Sequence, residues 1–478
     1  MNRYVTMLIF LPRYPKPFIM LNNKLLPFIL LFASISLIHA QPAIGDNTPP
    51  NIVLIFIDDL GYGDLGCYGH PTIRTPHLDQ MAREGIKLTS FYVAASVCTP
   101  SRAALMTGRY PLKAGLPGNL GPDSEGGLPQ DERTLAEALK EVGYRTAAYG
   151  KWHLGAVPGY MPTDRGFDEY LGLLYSNDMM PPWVNTERPL QLYRNDQPIE
   201  QEVDQTTLTQ QYTDAAIGFI QSNQQKPFFI YLAHSMPHLP IYASSDFQGR
   251  SAGGDYGDVI EEIDSSVGQI AEVLEAEGLA ENTLTIFTSD NGPWRNMPER
   301  MYTTDPVEQW HGGSTGPLAG AKGTSYEGGF RVPALLRWPG QIPAAQVSPE
   351  MCTSMDLHAT ILNLTGAKSA PKTLDGVDIL PLLTQQAESP RDDFYYFSGE
   401  YLDAVRDNRW KLRIAAKADD WISHETITGD EPIITELFDL RNDPFEQFNL
   451  GQHYPEHVSR LLMKMRQFAE EVGAKLRE

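Results

Sequence analysis

The stretch Ile52-Val53-Leu54-Ile55-Phe56-Ile57-Asp58-Asp59 runs through unbroken apolar residues and then stops at two carboxylates. A strand with one wet face would alternate polar and apolar residues, whereas a continuous apolar run is a strand covered on both faces, as in a parallel sheet flanked by helices. Three further runs read the same way: Tyr144 to Tyr149, Pro227 to Ala233 and Thr283 to Thr288. Helical patterns lie between them, Asp131 to Val142 closed by Gly143 and Gly257 to Glu277 closed by Gly278. In the second, Val259, Ile260, Ile263, Val267, Ile270, Ala271 and Leu274 recur at helical spacing as one buried stripe. The expected fold is α/β, built on a large doubly wound, mostly parallel sheet.

Open α/β sheets bind ligands beyond the carboxyl ends of their strands, so the residues after each run are the ones to inspect. Ile57 is followed by Asp58-Asp59, Tyr149 by Gly150-Lys151-Trp152-His153, Ala233 by the segment that contains His238, and Thr288 by Ser289-Asp290-Asn291. Asp58, Asp59, Asp290 and Asn291 offer only oxygen, which selects a hard divalent cation, calcium before magnesium. With such an ion in place, Arg102, Lys151 and Lys322 make the pocket net cationic, inside a chain whose formal charge is −22. A basic pocket in an acidic protein points to an anionic substrate and excludes nucleic acid as a partner.

Cys98-Thr99-Pro100-Ser101-Arg102 places a thiol where a helix begins and an arginine one turn beyond it. Pro100 suits the first helical position, and Ala103 to Met106 continue as good helix formers. Free N–H groups, the helix dipole and the fork of Arg102 all favour a bound anion there.

Lys24 precedes the apolar run Leu25 to Ile38, and Ile38-His39-Ala40 ends in a small residue, with Gln41 as the mature start and Met20 as a second candidate initiator. The run falls short of the roughly 18 to 20 residues that cross a bilayer, so it reads as a cleaved signal peptide of an exported protein with no stable membrane anchor. Cys67, Cys98 and Cys352 are an odd count, so a disulfide framework does not hold this fold, and at least one thiol is left over. The expected organisation is a signal peptide over 1–40, a catalytic domain over 41–383 and a C-terminal α+β subdomain over 384–478. In the last, Phe394 to Phe397, Ala404 to Arg406, Trp410 to Ile414 and Glu436 to Leu440 read as short antiparallel strands with an Asp407-Asn408 turn, before a helix from Pro455 to Leu476. Nothing in the sequence sets an oligomeric state.

The Cys98 to Arg102 pentapeptide with Ala103 to Arg109 resembles the signature of the sulfatase family. Further similar motifs are Pro50 to Val53 with Asp58 to Asp64, Gly150 to Gly155, Ser289 to Gly292, Ala321 to Thr324 with Glu327-Gly328-Gly329, and Asp443 to Glu446 after Leu437 to Leu440. The nearest branch is that of arylsulfatase A and N-acetylgalactosamine-6-sulfatase. The resemblance implies an alkaline-phosphatase-like fold and hydrolysis of aryl or carbohydrate sulfate esters. It implies that a host maturation enzyme oxidises Cys98 to formylglycine, and that Asp58, Asp59, modified Cys98, Asp290 and Asn291 bind calcium. Arg102 and Lys151 would hold the formylglycine, while Lys151, His238 and Lys322 grip the sulfate. Ser176, in Tyr175-Ser176-Asn177-Asp178, would contact substrate. One hydroxyl of the hydrated aldehyde, polarised by calcium, would attack sulfur with help from Asp290, His238 together with Lys322 would protonate the departing alcohol, and His153 would take the proton of the second hydroxyl to expel sulfate. Export would lead to periplasm, extracellular space or lysosome according to the host.

Two rival readings have different consequences. A phosphate or phosphonate monoester hydrolase shares the superfamily, yet a two-zinc phosphatase needs further His and Asp ligands, and no second-metal set is evident. An unmodified, non-catalytic protein that binds anions would keep the pocket and retain the thiol. Trp183, Trp294, Trp310 and His311 are candidates either for stacking on a substrate ring or for packing.

Overall fold

At the centre of the computed structural model, β1 (Asn51–Ile57) lies between β7 (Phe228–His234) and β8 (Thr283–Ser289), parallel to both, and all three strands are buried along their whole length. The structure describes residues 49–477 apart from 296, 304–306 and 417–431, so the expected signal peptide lies outside the described residues. No helix among the described residues is long and apolar enough to cross a membrane.

The remaining strands of the large sheet are β2 (Ile86–Tyr92), β3 (Arg145–Gly150), β4 (Glu169–Gly172), β5 (Leu192–Arg194), β6 (Gln197–Glu200), β9 (Arg331–Arg337) and β10 (Gln346–Thr353). The order is β10-β2-β9-β8-β1-β7-β3-β4-β5-β6. The four runs read from sequence are the parallel block β8-β1-β7-β3, which β4 extends. Antiparallel strands flank that block: β9 opposes both β8 and β2, and β5 and β6 fold back on β4. The sheet is therefore mixed and mostly parallel.

Strand β9 contains Pro333, which lacks the N–H that a central strand must donate. The structure resolves the conflict with a bulge. Leu88 pairs with Ala334 and Phe91 with Val332, so two residues of β2 face the single Pro333. The Thr89 carbonyl opposite this gap accepts from Arg331 Nε at 2.6 Å.

Helix limits differ from the sequence reading where a cap intervenes. The expected helix from Asp131 starts at Leu135, because Thr134 and Glu137 form a reciprocal capping box that defines its first turn. The helix Cys98–Thr107 is capped by Val97, which puts Pro100 at the third helical position rather than the first. An N–H is unneeded at either place. In the long helix Gly254–Ala276 the stripe is buried except for Ala271, and Val273 completes it instead. The last helix, Pro455–Val472, stops short of Leu476 because Gly473 takes a left-handed φ of 71° and its N–H closes on the Ala469 carbonyl.

A second, antiparallel sheet comprises β11 (Asp393–Ser398), β12 (Tyr401–Asp407), β13 (Trp410–Ala416) and β14 (Ile433–Asp439). Asp407 accepts from the N–H groups of Arg409 and Trp410, which makes the turn expected at Asp407-Asn408. The core of this sheet continues into Tyr92 of β2 and Met351 of β10, and into Phe330 and Met355 on the helices Glu327–Phe330 and Ser354–Thr365.

Glu327 joins the two sheets through buried charge. Its carboxylate accepts from the hydroxyls of Tyr92 at 2.5 Å and Tyr396 at 2.7 Å and from Lys411 Nζ at 3.1 Å. Burial raises the pKa of a carboxyl, but Lys411, Arg406 and Arg331 override it and hold Glu327 at about 2. Glu327→Gln should cost about 3 to 5 kcal/mol in denaturant unfolding at neutral pH, since it leaves buried cations without their partner. A depressed carboxyl stabilises the fold above its unfolded value of 4.5, and this contribution is lost as pH falls through about 2. Over that window the stability of the parent should therefore fall more steeply than that of the Gln variant.

Candidate active site

Strand register brings the expected residues to one edge. Ile57 stands opposite both Ser289 and His234, and Gly150 opposite Ala233, so the exits of β1, β8, β7 and β3 are level. The Asp290 N–H donates to the Ile57 carbonyl at 2.9 Å, and the Asp59 N–H to Asp290 Oδ1 at 3.1 Å. Asp59 and His153 turn into the site with φ of 64° and 59°, a left-handed conformation uncommon outside glycine. Gly292 is required for a different reason. A Cβ there would lie 1.8 Å from the Gly328 carbonyl oxygen, so Asp290-Asn291-Gly292 is held by close backbone approach as well as by turn preference.

The helix Cys98–Thr107, buried throughout, enters the same edge with Cys98 at its N-terminus and no side-chain cap. Cys98 Sγ lies 3.6 Å from Asp58 Oδ1. Burial pushes its thiol far above the usual range, so this sulfur is not an ionised nucleophile.

Around Cys98, three cations meet three carboxylates. Lys151 Nζ donates to Asp58 Oδ2 at 2.6 Å, Lys322 Nζ to Asp59 Oδ2 at 2.8 Å, and Arg102 Nε and Nη2 to Asp290 Oδ2 at 3.0 and 2.8 Å. Arg102 Nη1 also donates to the Lys151 carbonyl at 2.8 Å, which ties the helix to β3. All of these side chains are buried.

The balance is uneven. Burial works against the charged form of Asp58, yet Lys151, Arg102 and Lys322 bring its pKa below the ordinary value. Asp59 is pushed up to about 7 by burial, with Asp58 and Asp290 adding to the shift against the pull of Lys322. Asn291 Nδ2 donates to Asp59 Oδ1 at 2.6 Å, while Asn291 Oδ1 is buried without a hydrogen-bond partner. An under-neutralised carboxylate beside an unused amide oxygen is a good seat for a cation. Donor atoms of Asp58, Asp59, Cys98 and His238 lie within 4.8 Å of one another, so His238 stands closer to this cluster than its expected role on the sulfate alone implied.

The imidazoles are distinct. His153 Nε2 donates to the Leu120 carbonyl at 2.8 Å, which leaves Nδ1 as the lone-pair nitrogen, buried and without a partner. His238 Nε2 faces Asp59 Oδ2 at 3.6 Å. Burial and nearby cations, Lys151 for His153 and Lys322 with Lys151 for His238, hold both rings well below the usual histidine range. Trp294 walls the site, its ring 4.5 Å from Lys322 Nζ and 5.3 Å from the His238 ring. Trp183 belongs to the apolar core, His311 is buried with its Nδ1 accepting from the Glu308 N–H at 3.2 Å, and Trp310 is 73% exposed. Ser176 is buried on the loop that follows β4. Its neighbours Asn177 and Asp178, to which no sequence signal assigns a role, are buried as well. The Asp178 carboxyl is raised by burial despite the pull of Lys322 and Lys151, and its Oδ1 has no partner. All three cysteines are free.

A family model described as Sulfatase matches residues 50–367, and one described as N-sulphoglucosamine sulphohydrolase, C-terminal, matches residues 321–472. The chain is 40% identical to arylsulfatase A of Bos taurus over 455 residues, with 88% of this chain and 87% of the relative covered. It is 39% identical to N-acetylgalactosamine-6-sulfatase of Mus musculus, with 91% and 87% covered. Among solved structures, Ps i-CgsB in complex with k-i-k-neocarrahexaose superposes with a TM-score of 0.74 at 31% identity, with 88% of this chain and 93% of that chain covered.

Arg102 is the buried cation nearest Asp290, so Arg102→Ala should destabilise the metal-free protein by about 3 to 5 kcal/mol in urea unfolding. Arg102→Lys should recover only part of this, because an ammonium cannot reproduce the fork on Asp290 together with the bond to the Lys151 carbonyl.

Proposed function

Because this chain belongs to the sulfatase family and is a sulfuric ester hydrolase, we propose that it cleaves sulfate monoesters with a formylglycine made from Cys98 and a bound calcium ion. The observation that carries this reading is the buried ring of Arg102, Lys151 and Lys322 closed around Cys98 at a helix N-terminus. Such a ring has the charge and the donors for a sulfate group.

Asp58, Asp59, Asp290, Asn291 and the modified residue 98 would hold calcium, which supplies positive charge against the sulfate oxygens and favours an ionised hydroxyl. Hydrated formylglycine would supply two hydroxyls on one carbon, one to attack sulfur and one whose deprotonation ejects sulfate. The other steps belong to unmodified residues. Lys151 and Lys322 bind the sulfonyl oxygens, and their interaction strengthens as electron density moves onto those oxygens. Asp290 orients the attacking hydroxyl. His153 Nδ1, a lone pair with no competing donor, is the base for the second hydroxyl. His238 delivers a proton from Nε2 to the leaving oxygen, and an anion seated between Lys151 and Lys322 offsets the two charges that add to burial in keeping its ring neutral. Ser176 contacts the substrate beside His238.

The substrate class proposed is a sulfated carbohydrate. Support comes from the N-acetylgalactosamine-6-sulfatase relative and from the neighbour bound to a neocarrahexaose. Residues 41–383 would carry the catalysis and 384–478 would pack against them, with export through the signal peptide and maturation by a formylglycine-generating enzyme.

Four measurements test this. The peptide containing Cys98, taken from the active enzyme, should carry an aldehyde, and Cys98→Ser should lose at least about 1000-fold in steady-state kcat on an aryl sulfate. Turnover by Cys98→Ser at the parental rate, or an intact thiol in active enzyme, overturns the reading, as would aryl phosphate cleaved faster than aryl sulfate. Calcium at 100 times its Kd should stabilise the fold by about 2.7 kcal/mol, and a chelator should reverse this.

A further inference from the structure

We infer that Asn177 is a positioning residue that clamps His238 and fixes which ring nitrogen meets the leaving oxygen, an inference that rests on the reading of His238 as proton donor. Asn177 is completely buried. Its Nδ2 donates to the Pro240 carbonyl at 2.9 Å, to Gln205 Oε1 at 3.0 Å and to the His238 carbonyl at 3.3 Å. Two of these acceptors are backbone carbonyls, so an inverted amide would set oxygen against oxygen. The orientation is therefore forced. Gln205 is fixed in turn, since its Nε2 donates to the Asn177 carbonyl at 3.3 Å.

With the amide so placed, Asn177 Oδ1 lies 3.0 Å from His238 Nδ1, and the Leu239 carbonyl lies 2.7 Å from the same nitrogen. Both neighbours only accept, so Nδ1 carries a hydrogen. Nε2 is then the nitrogen that faces the site, 3.6 Å from Asp59 Oδ2, with Trp294 packed 5.3 Å from the ring. One side chain thus holds the His238 ring through Oδ1 and its backbone through Nδ2. The consequence is chemical. Once a sulfate anion is bound and the ring has taken up a second proton at Nε2 from solvent, that proton passes to the leaving oxygen as the bond from sulfur breaks and its electron pair moves to that oxygen. The ring is left neutral with Nδ1–H already in place, and no tautomer change is needed before the next cycle.

A positioning role for a proton donor is felt only where the leaving oxygen needs the proton. With a carbohydrate sulfate, whose alcohol is a poor leaving group, Asn177→Ala should lower kcat about 10- to 100-fold while KM moves less than about 3-fold. With 4-nitrophenyl sulfate, whose phenolate leaves readily, the loss should stay under about 3-fold. His238→Ala should show the same dependence on leaving group, and Asn177→Ala should add nothing to it in the double variant. Asn177→Asp, which keeps an acceptor for Nδ1, should recover part of kcat on the carbohydrate. Should Asn177→Ala fail to accumulate as folded protein, Gln205→Leu, one hydrogen bond further out, is read in the same way. Equal losses on both substrates, or a full additional loss in the His238→Ala background, overturn the clamp and leave the donor role of His238 standing. If His238→Ala itself shows no leaving-group dependence, the donor reading fails and the clamp falls with it.

Discussion

Three carboxylates brought to one buried edge cannot stay charged without compensation, and this constraint shapes everything around it. Asp58 and Asp290 emerge level because β1 and β8 pair in register, and Asp59 follows directly. Removing such groups from water costs several kcal/mol each unless cations are built in with them. The chain supplies the cations from separate elements: Arg102 from a helix, Lys151 from the exit of β3 and Lys322 from the loop before β9. The cations pin these segments as firmly as any apolar contact.

The Glu327 cluster poses the same problem and gives the opposite answer. There Lys411, Arg406 and Arg331 surround one carboxylate, two tyrosine hydroxyls complete its shell, and the carboxyl is held at about 2 despite burial. The Glu327 carboxylate is thus fully partnered, and Glu446 beside it, raised by burial to about 7, lies 2.8 Å from Lys411 Nζ. At the sheet edge Asp59 is raised to about 7, Asn291 Oδ1 has no partner, and His153 Nδ1 has none either. Glu327 with its full shell holds two sheets together, whereas an edge that joins an unused amide oxygen to a spare imidazole lone pair is arranged to receive something. Burial and net charge alone would not separate the two.

Sequence alone revealed what depends on local chemistry. Unbroken apolar runs ending in polar residues identified the parallel block and its reactive edge, because a strand covered on both faces has no reason to alternate. Asp58, Asp59, Lys151, His153, His238, Asp290 and Asn291 were all legible as strand exits. The flanking antiparallel strands were not, since β9 contains a proline whose tolerance depends on a bulge in β2, and no local pattern encodes a bulge in another strand. Asn177 was invisible for a similar reason. Its meaning lies in carbonyls of residues 238 and 240, which only the folded loop brings to it. Trp183 and Trp294 looked alike as loop aromatics, and only tertiary packing put Trp294 against His238 and Lys322.

On the proposed reading, the charge balance of the pocket favours the transition state over the substrate. Arg102, Lys151 and Lys322 offset Asp58, Asp59 and Asp290, so a divalent cation leaves the site with about two positive charges. A sulfate monoester brings a single negative charge, which leaves the Michaelis complex electrostatically unsatisfied. As the bond to the leaving oxygen stretches, further negative charge develops on that oxygen and on the sulfonyl group, and the free product is a dianion. The fixed cations, buried and already oriented by their carboxylates, need no reorganisation to meet that charge. The same balance has a cost, because it binds the product sulfate more tightly than the ester. Proton transfer at His153 and solvent access would then govern release.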